Sequence, residues 1–265
     1  MVMCKVTAIV NQKGGVGKTT TASNLGYALA YQGKKVLEID LDPQGSLTVS
    51  LGYDDNDYIN ITIATLMAMA IEEEKLPDRE LYIVKAGNID LIPCNIELSA
   101  IEVSLVNAMS RELILKSIID EIKEFYDYII IDCSPSLGML TINALAACDS
   151  VIIPVTPEYL SAKGLELLLK NIIRVKKRLN PKIEIDGILL TMFVERTNLS
   201  KDITEMIEVA YGGQIHIFES RVPKSVQVGY SILHNKSVIE YANKNKVSLA
   251  YKQFAQEVLE RGAAN

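Results

Sequence analysis

Paired thiols are absent from this chain. Its four cysteines in 265 residues, Cys4, Cys94, Cys133 and Cys148, are scattered with no CxxC spacing. That excludes a disulfide framework and a zinc knuckle, and leaves isolated thiols of a reducing compartment. No apolar run reaches the length of a membrane span, and the first residues lack the charged segment and apolar core of a secretion signal. The expectation is a cytoplasmic protein with no membrane partner. No internal repeat and no low-complexity linker divide the sequence, so residues 1–265 are expected to fold as a single domain with ample core. An overall basic balance is missing too: the net charge is −6, which by itself speaks against nucleic acid. The distribution is uneven, however. Residues 1–162 carry 11 Lys+Arg against 22 Asp+Glu, whereas residues 163–265 carry 16 against 11. A surplus of that size hints at a polyanion-facing surface and fits a merely solvated one equally.

What is present is an ordinary globular composition, 49% hydrophobic and 23% charged, arranged as apolar runs alternating with helical patterns. Strands are expected over residues 5–10, 36–40, 90–93, 128–132, 150–155 and 184–191. Helices are expected over 18–32, 99–107, 111–125, 137–146, 161–179, 199–211 and 247–261. The strands are near-continuous Val/Ile/Leu runs without apolar/polar alternation, which reads as a parallel sheet buried on both faces. The fold class is therefore α/β, a doubly wound, mostly parallel sheet flanked by helices, with ligands at the carboxyl ends of its strands. The acidic stretch 54–79, punctuated by Pro77, reads as a surface insertion.

The richest segment is Lys13-Gly14-Gly15-Val16-Gly17-Lys18-Thr19-Thr20, between the first strand and the first helix. Glycines let backbone N–H groups converge on phosphate oxygens, and the helix N-terminus adds partial positive charge. Lys18 is expected on the β- and γ-phosphates and the Thr19 hydroxyl on Mg²⁺. The loop departs from GxxxxGK[ST]: Gln12 stands where the first Gly belongs, and a second lysine, Lys13, opens the loop. Two further strand ends point to the same site. Asp40-Leu41-Asp42-Pro43-Gln44-Gly45 carries two carboxylates one residue apart, suited to Mg²⁺ and a water nucleophile and expected on one side of an extended chain. The run 128–131 ends at Asp132, a Walker B pattern whose carboxylate holds Mg²⁺ through its water shell. Cys133 follows inside that site, which argues against its serving, with Cys94, as a ligand of an iron–sulfur cluster.

NQKGGVGKTTTASNLGYALA, VLEIDLDPQGSLT, YDYIIIDCSPSLGMLTINAL and VIIPVTPEYLSAKGL together resemble the ParA/Soj family of DNA-partitioning ATPases, with the deviant Walker A of the ParA/MinD superfamily and a P-loop NTPase fold of SIMIBI type. The resemblance runs from about residue 5 to the C-terminus. It implies ATP and Mg²⁺ as cofactors, and a homodimer closed around two ATP molecules that binds double-stranded DNA without sequence preference. It further implies slow hydrolysis stimulated by a ParB-type centromere-binding partner, and nucleoid association. By position, Lys13 matches the signature lysine that reaches the partner subunit's nucleotide, Lys18 the phosphate lysine, Thr19 the Mg²⁺ ligand and Thr20 a phosphate contact. Asp42 matches the acid that positions the attacking water and Asp132 the Walker B acid, while Asp40 is an outer-shell or structural carboxylate. Met192, Val222 and Pro223 match segments that flank the adenine.

For DNA, the resemblance points to Arg196 and Lys224, and less directly to Arg221, Lys236 and Lys252. The segment 222–227 departs from the family pattern, with Gln227 in place of a usual arginine and Val228-Gly229-Tyr230 where relatives read Glu-Ala-Pro. The P-loop begins within the first 13 residues, as in short ParA proteins without an operator-binding extension. The alternative is a MinD-like membrane-associated positioning ATPase. Its mark is a cationic amphipathic tail; here Val247, Tyr251, Phe254 and Val258 share a helical face, but Glu257 and Glu260 stand on the tail, so it is expected to pack on the core.

Overall fold

The computed structural model describes residues 4–53, 59–194 and 197–264. Its strands are β1 (Lys5–Ile9), β2 (Val36–Leu41), β3 (Val84–Ala86), β4 (Ile89–Ile92), β5 (Tyr128–Cys133), β6 (Ser150–Val155), β7 (Glu184–Phe193) and β8 (Ile217–Pro223). They form one sheet in the order β3-β4-β2-β5-β1-β6-β7-β8. Only the short edge pair β3–β4 is antiparallel among these; the others run parallel. Every residue of β2, β5 and β6 is buried, as expected for strands covered on both faces.

The helices are α1 (Lys18–Tyr31), α2 (Ser46–Ser50), α3 (Ile63–Ile71), α4 (Leu98–Ser104), α5 (Ile114–Ile122), α6 (Met139–Ala147), α7 (Tyr159–Arg178), α8 (Asn198–Tyr211), α9 (Gln227–Leu233), α10 (Val238–Tyr241) and α11 (Lys246–Ala264). They divide between the two faces. Leu37, Ile39, Ile129, Ile131, Val151 and Ile153 meet α3, α5, α6 and α7 on one side. Val36, Ile130, Ile152 and Leu189 meet α1, α10 and α11 on the other. After β1 the chain crosses to β2 on one side, and after β5 it returns to β6 on the opposite flank of β1. The loop after β1 therefore opens at a topological switch point, where doubly wound sheets take ligands.

Part of the expected surface insertion is core. Within 54–79, α3 buries Ile63, Leu66 and Met67 completely, so that segment supplies a wall of the domain. The sequence IATLMAMAI is apolar on nearly every position and shows no helical period to read. Residues 54–58 lie outside the described residues. β8 was not expected, although its burial alternates as a half-buried strand should. The C-terminal helix behaves as expected: Val247, Tyr251, Phe254 and Val258 are buried, and α11 packs on β8 and α1.

Candidate active site

The loop after β1 is held from several sides. Asn11 donates to the Pro154 carbonyl at 2.7 Å and accepts the Lys13 N–H at 3.0 Å, so the loop leaves the sheet at a fixed angle. Gly15 and Gly17 have φ of +70° and +83°, which a side chain there would strain. Gly17 caps α1, and the Thr191 hydroxyl at the end of β7 donates to the Val16 carbonyl at 2.8 Å. Lys18 is buried at the first turn of α1, and its ammonium reaches back to the Lys13 carbonyl at 3.4 Å. Burial lowers its pKa, opposed by the charges of Asp132, Cys133 and Asp42. Lys13 sits differently: its ammonium pairs with Glu158, just ahead of α7, and both side chains are partly exposed.

Asp40 and Asp132 are neighbours across the β2–β5 pairing, both fully buried, on the face that carries α1. Their oxygens fare very differently. Asp40 accepts the Asp42 N–H at 3.2 Å on Oδ1, and the Thr48 N–H and hydroxyl at 2.8 and 2.7 Å on Oδ2. Burial raises its pKa to about 6 despite those donors. Neither oxygen of Asp132 is hydrogen-bonded, although the Thr19 hydroxyl stands near enough to favour its charged form. Burial, then the charge of Asp40, pushes Asp132 well above the carboxylate range. A buried, unpartnered carboxylate beside a threonine hydroxyl is a hard oxygen donor set that suits a water-shelled Mg²⁺. No cluster of three or more ligating side chains forms a ready-made metal cage among the described residues, so phosphate and water would complete the coordination. Asp42 is half-buried, with its Oδ1 accepting the Gln44 N–H at 3.0 Å.

Met192, the next-to-last residue of β7, has φ +51° and is partly exposed, and its methyl lies 4.0 Å from where a Cβ on Gly17 would stand. Phe193 and Pro223 pair between β7 and β8, which brings Met192 near Val222 and Pro223 at the ends of these two strands. Gly14 and Thr20 lie at the loop surface and in the first turn of α1. Sequence reading missed Glu38, buried two residues before Asp40 with both oxygens unpaired, and Gln12, whose Nε2 is buried without a partner. It also missed Thr48 and Cys94, which bind the β2 loop. A cavity of about 240 Å³ lies between α6 and α7, lined by residues such as Leu145 and Val175; it is remote from this chemistry.

The proposed DNA residues divide. Lys224 and Lys236 are exposed at the two ends of α9. Arg221 pairs with Glu208 at 3.2 Å and lies over the Phe193 ring, and half-buried Lys252 donates to Asn243. Both are therefore engaged within the fold. Arg196 lies outside the described residues.

A P-loop at the switch point of a parallel sheet, with carboxylates ending the two adjoining strands, defines a P-loop nucleoside triphosphatase. The comparisons narrow that class. Residues 4–185 match a family model described as an AAA domain. The chain is 42% identical to the sporulation initiation inhibitor protein Soj of Bacillus subtilis, covering 98% of this chain and 100% of that one. It is 38% identical to the chromosome-partitioning ATPase Soj of Treponema pallidum, covering 98% of both. A crystal structure titled cobyrinic acid a,c-diamide synthase from Mycobacterium smegmatis, with bound ADP and magnesium, superposes with a TM-score of 0.84 at 33% identity, covering 98% and 96% of the two chains. The chain belongs to the ParA/Soj family.

Proposed function

We propose that this protein is a partitioning ATPase that works as an ATP-sandwich homodimer on non-specific double-stranded DNA. ATP with Mg²⁺ is its ligand, as the bound ADP and magnesium of the Mycobacterium smegmatis relative suggest. The observation that carries the reading is the division of labour between two lysines of one loop. Lys18 is buried in the phosphate cradle, whereas the Lys13 ammonium is drawn outward to Glu158 at the protein surface. That outward position supports a role for Lys13 in completing the site of a facing copy.

Phosphoryl transfer asks a protein for positioning and charge rather than covalent chemistry. The loop N–H groups and Lys18 hold the triphosphate. Thr19 and Asp132 would hold Mg²⁺, which would supply charge neutralisation to the triphosphate. Asp42 orients the attacking water, and Lys13 from the second subunit lends positive charge. Dimerisation doubles the number of exposed lysines presented to a polyanion, so nucleotide state controls DNA binding through assembly. Hydrolysis, stimulated by a ParB-type partner, releases the DNA.

The test is sizing and DNA retention with ATP, ADP and no nucleotide, for wild type and Lys13→Ala. Wild type should dimerise and retain DNA with ATP alone, and Lys13→Ala should bind ATP yet stay monomeric. An ATP-loaded Lys13→Ala dimer would overturn the assignment.

A further inference from the structure

Asp42 has to hold one position to orient a water, yet it sits on a short loop with exposed Gln44 and a left-handed Gly45 (φ +61°). The side chains that fix this loop form a closed circuit. Asp40 Oδ1 accepts the Asp42 N–H, and Asp40 Oδ2 accepts both donors of Thr48 at 2.8 and 2.7 Å. With its proton committed to Asp40, the Thr48 hydroxyl accepts the Cys94 N–H at 2.9 Å, bridging the ends of β2 and β4. The Cys94 Sγ lies 3.1 Å from the Asp42 carbonyl and 3.3 Å from that of Asn95, with one proton to donate. The Cys94 carbonyl stands 3.3 Å from where a Cβ on Gly45 would be, so the loop closes against it. Asp40, Thr48 and Cys94 are all buried, and water has little access to replace a lost contact.

We propose that Thr48 and Cys94 are positioning residues for hydrolysis: with Asp40 they set the place of Asp42, and Asp40 directs its lone pairs to this circuit instead of to the metal. The inference rests on the role given to Asp42 in the proposed function. Deleting the Thr48 hydroxyl leaves Cys94 N–H and Asp40 Oδ2 short of a partner and releases the loop from β4. The nucleotide cradle, built by the other strand ends, is untouched. Binding should therefore survive while turnover falls.

Thr48→Val should lower kcat about tenfold or more, as small misplacements of a catalytic group do, with affinity for a fluorescent ATP analogue within about twofold. Thr48→Ser and Cys94→Ser, which keep a donor, should restore turnover to within about threefold of wild type, whereas Cys94→Ala should not. In the nucleotide-free protein, amide hydrogen exchange over residues 42–46 should quicken in Thr48→Val and return towards wild type in Thr48→Ser. Asp40→Asn should leave the Mg²⁺ requirement for ATP binding within about twofold, while Asp132→Asn raises it about tenfold. Wild-type turnover and exchange in Thr48→Val, or a Mg²⁺ requirement raised as much by Asp40→Asn as by Asp132→Asn, would overturn the circuit. Should Thr48→Val fail to fold, Cys94→Ala against Cys94→Ser decides on the same readouts. Wild type without ATP hydrolysis would sink the proposed function instead, which keeps the two failures apart.

Discussion

At the scale of single residues, Glu38 is a side chain whose environment strongly opposes its charge. It is fully buried in β2, neither oxygen has a hydrogen-bond partner, and burial, then Asp132 and Asp40, pushes its pKa well above the ordinary carboxylate value. A carboxyl with a raised folded-state pKa holds its proton more tightly in the native protein. Its contribution is fully present below the unfolded pKa of about 4.3 and is lost as pH rises towards the folded value. Glu38→Leu should therefore stabilise the protein by about 1–4 kcal/mol at pH 7.5, with the gain shrinking towards pH 4.5. Denaturant titrations at the two pH values measure it, and a loss of stability at pH 7.5 would count against this account. Gly26 on α1 makes room for the carboxyl: a Cβ there would stand 2.0 Å from Glu38 Oε1. Gly26→Ala should destabilise by about 1–3 kcal/mol, most of it recovered in a Glu38→Ala background.

The residue scale also shows what a sequence can carry. Lys18, Thr19, Asp42 and Asp132 were legible because phosphate chemistry demands those residue types at fixed spacing after a strand. Thr48 and Cys94 were not, because their meaning lies in a hydrogen bond between positions 46 residues apart. Asp40 was legible as an acid of the site; its hydrogen bonds to Thr48 were not. Glu38 hid inside an apolar run, and burial on both faces leaves no periodicity to mark a polar residue within it.

At the scale of elements, the parallel strands were readable because strands covered on both faces keep no polar alternation, and the P-loop fixes where β1 ends. α3 and β8 escaped for opposite reasons. α3 is apolar almost throughout, so no helical face stands out, and β8 mixes Glu219 and Arg221 into a short alternating run at the sheet edge. The irregular strand register around Met192 comes with a positive φ that nothing in its side chain announces. α11 illustrates an amphipathic helix whose apolar stripe is already occupied. Phe254 is buried against β8 with its ring edge-on to Phe218 at 4.8 Å. Phe254→Ala should therefore cost about 3–5 kcal/mol of stability, read as a lowered denaturation midpoint. A tail reserved for a membrane would show little effect in solution.

At the scale of the whole molecule, the question is how a chain of net charge −6 would hold a polyanion. The negative charge is concentrated in residues 1–162, and the positive surplus belongs to the half that carries β8, α9 and α11. Exposed Lys224 and Lys236 flank α9 there, whereas Arg221 and Lys252 are already engaged. A monomer offering two such lysines gains little at physiological salt, because each neutralised phosphate changes the logarithm of affinity by only about 0.9 per decade of salt. In the proposed dimer, two subunits would offer four, and the slope and the affinity would rise together. Lys224→Glu with Lys236→Glu should reduce that slope by about 3–4 in the ATP-bound dimer, without changing dimerisation or ATP affinity. DNA retention titrated against salt reads the slope directly, for wild type and the double variant in an Asp42→Ala background, where the proposed dimer should persist. An unchanged slope would move the DNA surface off α9, towards the segment around Arg196.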